Sequence, residues 1–323
     1  MGGITKLFWN ADERRLRVGW RLSIQFALFV VMQLLAFVAE GSSLVALLEE
    51  RFPWIESIAD NLLLAVVYGV GVLLCTWLVT RWIDHRSFSD LGLAIRGQQW
   101  VDFGFGLLLG ALLMTLIFLV EWRAGWVTVR GFWQVQQPGI PFARAILGPL
   151  LVFLAVGVVE ELLSRGYQLR NLAETMSGLG ERPALLLAWL FSSIFFGLIH
   201  LLNANSTIIS TVALVAAGLF LGLGRLYTGS LAIPIGLHIT WNFFQGNVYG
   251  FPVSGNLFTE ATVIAIAQGG PKAWTGADFG PEAGLIGISA ILLGTLLTLL
   301  WVRWRTGQVA LQRTLARYLP RVP

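Results

Sequence analysis

A chain of 323 residues that is 56% hydrophobic and 12% charged, with mean hydropathy +0.73, carries more apolar surface than a soluble domain can hide, because an average soluble domain is about a quarter charged. That composition excludes an ordinary cytosolic enzyme, and it is the opposite of a disordered chain. The net charge is only +4 and the basic residues sit beside apolar segments, a pattern of membrane orientation rather than nucleic-acid binding.

Charge-free stretches mark the membrane crossings in chain order. Residues 22–39 run 18 without a charge, 61–80 run 20, 103–120 run 18, and 145–159 run 15 before a pair of glutamates. Residues 183–224 run 42, which makes two spans divided at the polar turn Asn203-Ala204-Asn205-Ser206. Residues 226–259 run 34, enough for one span from about Ser230 and a Gly/Pro/Asn-rich exit at Gly250 to Asn256, and 283–302 give 20 more. Each crossing takes about 20 apolar residues, and it must be helical because lipid offers the backbone no partner. The sequence therefore predicts an all-α polytopic membrane protein, a bundle of about eight transmembrane helices. With the N-terminus inside, 17 of the 22 Lys and Arg fall in inner segments and 5 in outer ones, which places the N- and C-termini in the cytoplasm. The first outer loop is acidic, with Glu40, Glu49, Glu50, Glu56 and Asp60.

The start of the chain does not read as a cleaved signal, since Arg21 borders an apolar run with no small-residue cleavage pattern before Glu40. Most of the 14 tryptophans flank spans and read as an interfacial belt. The single cysteine, Cys75, can form no internal disulfide. The basic tail, residues 303–321, reads as a solvated or headgroup-facing helix. Residues 251–282 read as an irregular outer segment with no role assigned.

Ionisable and polar groups inside the apolar runs each need a reason. In Glu160-Glu161-Leu162-Leu163-Ser164-Arg165, Glu161 and Arg165 are four apart and share a helix face, while Glu160 points about 100° away. One glutamate can thus be neutralised while the other does chemistry; the plainer alternative is a helix end reaching water. In Phe196-Gly197-Leu198-Ile199-His200, a lone histidine is either a hydrogen-bonded core residue or a catalyst. His238 and Asn242, again four apart, both offer donors and can grip a developing oxyanion, or they can clasp two helices. The turn at Asn203 reads as a helix connection with a cap, and His85, between Asp84 and Arg86, reads as solvated. Taken together, two intramembrane histidines and a glutamate pair on a third span form a hydrolase inventory.

These motifs in this order, Glu160-Glu161-x-x-x-Arg165, Phe196-x-x-x-His200 and His238-x-x-x-Asn242, resemble the CAAX-protease and bacteriocin-processing family (CPBP, also called Abi), whose eukaryotic relatives trim prenylated proteins. The resemblance covers residues 142–249 as a catalytic core of four helices, flanked by 1–141 with three helices and by 250–323 with the outer segment, the last helix and the basic tail. It implies a glutamate-dependent intramembrane endopeptidase: Glu160 as general base, His200 holding the water, His238 and Asn242 on the oxyanion, and Glu161, Arg165 and Phe196 in support. Burial of Glu160 in a bundle core suits it to base work. No cofactor is expected. Zinc on Glu160 and the two histidines is the mechanistic rival, although the chain has no His-Glu-x-x-His pair, no cysteine near the motifs, and in Asn242 a poor zinc ligand.

The expected partners are the lipid bilayer and a membrane-associated protein or peptide, with no nucleic acid and no prenylated substrate assumed, in a multi-pass protein of a bacterial plasma membrane. A proton-coupled transporter and a non-catalytic scaffold or immunity protein on the same fold are the rival functions. Helix arithmetic leaves one conflict. Glu160 lies 16 residues after Arg144 and His200 lies 18 after Arg182, so straight helices put the first about 24 Å from the outer side and the second about 27 Å from the inner side. The expectation is that the fifth helix starts below the inner interface and that the Asn203 turn sits inside protein or a wet cavity.

Overall fold

The computed structural model describes residues 5–39, 42–52, 55, 58–93 and 96–318. Glu40 and Glu56, named above, and the last residues of the basic tail, 319–321, lie outside these residues. Seven helices are long and apolar enough to cross a membrane: α1 (Val18–Ala39), α2 (Ala59–Trp82), α3 (Gln99–Arg123), α4 (Phe142–Thr175), α5 (Glu181–Leu202), α6 (Ile208–Thr228) and α8 (Leu285–Thr306). Between the last two lies α7 (Ala232–Phe243), 12 residues continued by a π-helical turn of 5 over Phe244–Val248. The sequence-derived eighth span is therefore present but shorter than the other seven. Its first eight residues are buried, so it sits among helices rather than against lipid. The fold is that of an all-α polytopic membrane protein.

The α3/α7 crossing brings two backbones close together, and small residues permit it. A Cβ on Gly110 would lie 2.5 Å from the Leu237 carbonyl oxygen and 2.8 Å from the Trp241 nitrogen, and one on Gly236 would lie 2.5 Å from the Phe103 oxygen. With Gly106 one turn earlier, Gly106-x-x-x-Gly110 lets two backbones touch where no hydrophobic force exists to hold them. Thr240 Oγ1 adds a hydrogen bond to the Leu107 carbonyl at 2.7 Å. This contact anchors the helix that carries His238 and Asn242.

One end of the bundle is locked by buried charge. Glu174, near the end of α4, accepts hydrogen bonds from Arg15 Nη2 at 3.0 Å, Arg86 Nη1 at 2.7 Å and Arg170 Nε at 3.0 Å. Arg21 Nη1 donates to Asp84 at 2.7 Å, and Tyr318 lies with its ring 3.5 Å from the Arg15 guanidinium carbon. The start of the chain, the α2–α3 connection, the end of α4 and the tail thus meet at one end, which is the alternation expected of an even number of helices. The tail differs from the helix expected of it. After α8 stops at Gly307, with φ +76°, the chain returns, and Leu315 and Ala316 are buried against Leu169, Ala173, Ala184 and Leu185. Apolar residues among the arginines make that return favourable. His85 is exposed, as expected.

The other end carries the outer segment, which is more ordered than its glycines and prolines suggest. Ala261–Gln268 forms strand β2, paired antiparallel with β1 (Val127–Val135) from Val127 opposite Gln268 to Val135 opposite Ala261. Glu282, buried, accepts from the Ser254 backbone N–H at 2.6 Å and from the Gln245 side chain. Burial pushes its carboxyl up to about 7, against the lowering effect of those hydrogen bonds.

Two outcomes follow from this packing. Gly110→Val should cost about 3 kcal/mol by forcing two backbones apart, read as a lowered thermal midpoint in detergent, whereas a midpoint equal to wild type would show that the crossing is slack. Because the Glu282 carboxyl titrates higher in the fold than in the unfolded chain, the protonated form stabilises, and the contribution is lost as pH rises through about 7. The Glu282→Gln variant should therefore lose less stability than wild type between about pH 5 and about pH 8; equal pH slopes would contradict this.

Candidate active site

Glu160 sits near the middle of α4, not at its end. The helix continues to Thr175 for a total of 34 residues, about 51 Å, because Glu161 and Arg165 are paired inside protein rather than presented to water. That length removes the depth conflict: α4 runs on past Glu160 to the Glu174 cluster, beside the start of α5. The Asn203 turn, for its part, is tied to the outer segment, with Asn203 Nδ2 donating to the Ser254 carbonyl at 3.0 Å and Asn205 Nδ2 to that of Gly255 at 3.2 Å.

The helix following Glu161 is π-wound over Leu162–Gln168, a local widening that recurs at functional sites. Arg165 Nη1 donates to Glu161 Oε1 at 2.7 Å, and Arg165 Nη2 donates to the Gly218 carbonyl at 3.0 Å. Its guanidinium carbon lies 4.3 Å from the centre of the Phe196 ring. The same Glu161 oxygen lies 2.8 Å from His238 Nδ1. The i,i+4 pair legible in the sequence is thus one part of a chain running Arg165–Glu161–His238.

Both histidines have one ring nitrogen fixed. His200 Nδ1 is 2.7 Å from the Phe196 carbonyl oxygen, which can only accept, so this nitrogen carries the proton. His238 Nδ1 donates to the Glu161 carboxylate. The two Nε2 atoms are then turned to one point: each lies 3.9 Å from Glu160 Oε2. That separation is too long for a direct hydrogen bond, yet one water can touch both groups at about 2.8 Å.

Glu160, His200, His238, Asn242 and Phe196 line one cavity of about 180 Å³. Phe153, Leu214, Phe220, Trp241, Phe258 and Ile291 supply its apolar wall. Glu161 and Arg165 stand behind it, fully buried. Sequence reasoning missed Ser254, Asn256 and Glu282, which also line the cavity and come from the outer segment that was given no role. The available signal was Gln245 and Asn247, polar residues near the end of a charge-free run; Asn247 Nδ2 donates to the Ala261 carbonyl at 2.7 Å, tying α7 to the outer segment. A zinc ion would draw on Glu160 and the two imidazoles. Among the described residues no group of three His, Cys, Asp or Glu is gathered to hold a metal, and the 3.9 Å separations exceed the roughly 3.4 Å between two ligands of one tetrahedral zinc.

Comparison with known proteins gives one match. Residues 142–244 fit the family model described as type II CAAX prenyl endopeptidase, Rce1-like. Neither curated proteins nor solved structures give a match. The match takes in all three motifs, and it supports a protease in a multi-pass membrane protein. The core of this chain, with Glu160, His200 and His238 inside it, is similar to that of the CAAX-protease family.

Proposed function

We propose that this protein is an intramembrane endopeptidase in which Glu160 activates the water that cleaves a peptide bond of a membrane-associated protein or peptide. One observation carries this: a single carboxylate oxygen stands at equal distance, 3.9 Å, from the free nitrogens of two oriented histidines. The mechanism uses no metal and routes no step through one.

In the proposed sequence, a water lies between Glu160 and His200 and donates to both. Glu160 takes one proton as the water oxygen bonds to the substrate carbonyl carbon. The carbonyl oxygen gains the negative charge and accepts hydrogen bonds from Asn242 Nδ2 and His238 Nε2. To donate there, His238 must carry both protons, with Glu161 as the counter-ion at Nδ1. Glu160 then returns its proton to the leaving nitrogen as the C–N bond breaks, giving one new carboxyl and one new amine. Arg165 neutralises Glu161, so that of the two adjacent carboxylates only Glu160 remains to act as base. The apolar wall suits a hydrophobic side chain of the substrate, and nothing in the wall calls for a prenyl group. The proposed setting is a bacterial plasma membrane, with the lipid bilayer as partner and no nucleic acid.

Cleavage of a membrane-tethered peptide library by purified protein tests this. Glu160→Gln should lower the rate about a thousandfold with an unchanged thermal midpoint, while a tight zinc chelator leaves the wild type active and metal analysis finds no stoichiometric zinc. Cleavage retained by Glu160→Gln, stoichiometric zinc whose removal abolishes cleavage, or a folded wild type that transports or binds a partner without cleaving would each overturn the proposal. Asn242→Leu should lower kcat about a hundredfold with KM little changed; a raised KM at full kcat would make Asn242 a binding group instead.

A further inference from the structure

Glu160 borders a second cavity, on the side away from the substrate. It lies between α1, α4 and α5 and is lined by Gln25, Phe26, Ser164, Tyr167, Gln168 and Phe195, among others. Its volume is about 20 Å³, and a polar cavity of roughly 10–15 Å³ already holds one water. Gln25 is 3% exposed, and its Nε2 donates to Thr76 Oγ1 at 3.0 Å. Its Oε1 accepts nothing from the protein, and neither does Oε1 of Gln168, although both atoms are buried. Two orphaned amide oxygens, on side chains that line one small cavity, are costly unless a donor satisfies them. Tyr167 does not serve, since its hydroxyl donates to the Arg21 carbonyl at 3.5 Å. A water molecule, with two donors, matches the requirement.

The geometry points to a bound-water site behind Glu160, held by Gln25 and Gln168, that replenishes the hydrolytic water while substrate fills the front cavity. The supply role rests on the endopeptidase reading; the water site itself does not. Each hydrolysis consumes one water, and a bound peptide in a 180 Å³ cavity closes that side to solvent. A store on the far side of the same carboxylate keeps water within reach without opening the site. Gln25 and Gln168 are thus positioning residues that belong to none of the three motifs.

X-ray hydroxyl-radical labelling of the purified full-length protein reads bound water directly, because an internal water generates its radical in place. Tyr167 is the reporter, being fully buried. It should be labelled in the wild type, and labelling should fall in Gln25→Leu and in Gln168→Leu; the second variant leaves the Gln25–Thr76 hydrogen bond intact and so guards against a folding defect in the first. Both variants should keep KM and lose about tenfold in kcat, the worth of one hydrogen bond at the site. An unlabelled Tyr167 in the wild type, or labelling unchanged by both variants, would overturn the water site. Labelling lost with kcat intact would overturn the supply role. Glu160→Gln run in parallel separates the two ideas: full cleavage by that variant defeats the endopeptidase reading, while its Tyr167 labelling still reports on the cavity.

Discussion

The structure turns on one carboxylate oxygen, Glu161 Oε1, which accepts from Arg165 at 2.7 Å and from His238 at 2.8 Å. A buried ion is expensive in a bundle core, and its attraction to a partner repays the desolvation only when the geometry is good and the remaining donors are used. Here they are. Arg165 spends its second amino group on the Gly218 carbonyl and lays its face on Phe196. Four helices, α4, α5, α6 and α7, are therefore registered to one another through a single charged group. The same group fixes the ring of His238, so fold and site share one constraint.

That constraint also explains why two glutamates stand side by side. Adjacent residues on a helix diverge by about 100°, so the pair cannot point at one target. Glu161 is sealed, with its charge met by Arg165. Glu160 is partly exposed, and its Oε2 has no hydrogen-bond partner in the protein. A carboxylate with an unoccupied lone pair, aimed between two imidazole nitrogens whose other ends are tied down, is a poor structural element. Its placement makes sense as a group that works on a transient ligand.

Much of this was legible in the chain itself. The apolar runs located the crossings, and the i,i+4 spacing of Glu161 and Arg165 foretold their pairing. What was not legible depended on tertiary partners. The bond from Glu161 to His238 joins residues 77 apart, and no local pattern announces it. The full length of α4 was not legible in its 15-residue charge-free run, because it depends on the pairing of Glu161 with Arg165 and of Arg170 with Glu174, which lets the helix continue through protein. The tail was misjudged for a related reason: its arginines suggested solvent, and the apolar Leu315 and Ala316 between them decided the path.

The two ends of the bundle divide the labour differently. Arg15, Arg86 and Arg170 around Glu174 join segments far apart in the chain, and breaking such a buried set leaves uncompensated charge at a cost of about 3–5 kcal/mol. That end is built to stay shut. The outer end is held by neutral hydrogen bonds from Asn203, Asn205 and Asn247 to backbone carbonyls and by Glu282, whose carboxyl titrates near 7. Neutral bonds are worth about 1 kcal/mol each, so this end yields first. The residues it contributes, Ser254, Asn256 and Glu282, line the cavity that holds Glu160. On the endopeptidase reading, a peptide at Glu160 lies against these outer-segment residues, to which the charge-locked end contributes none.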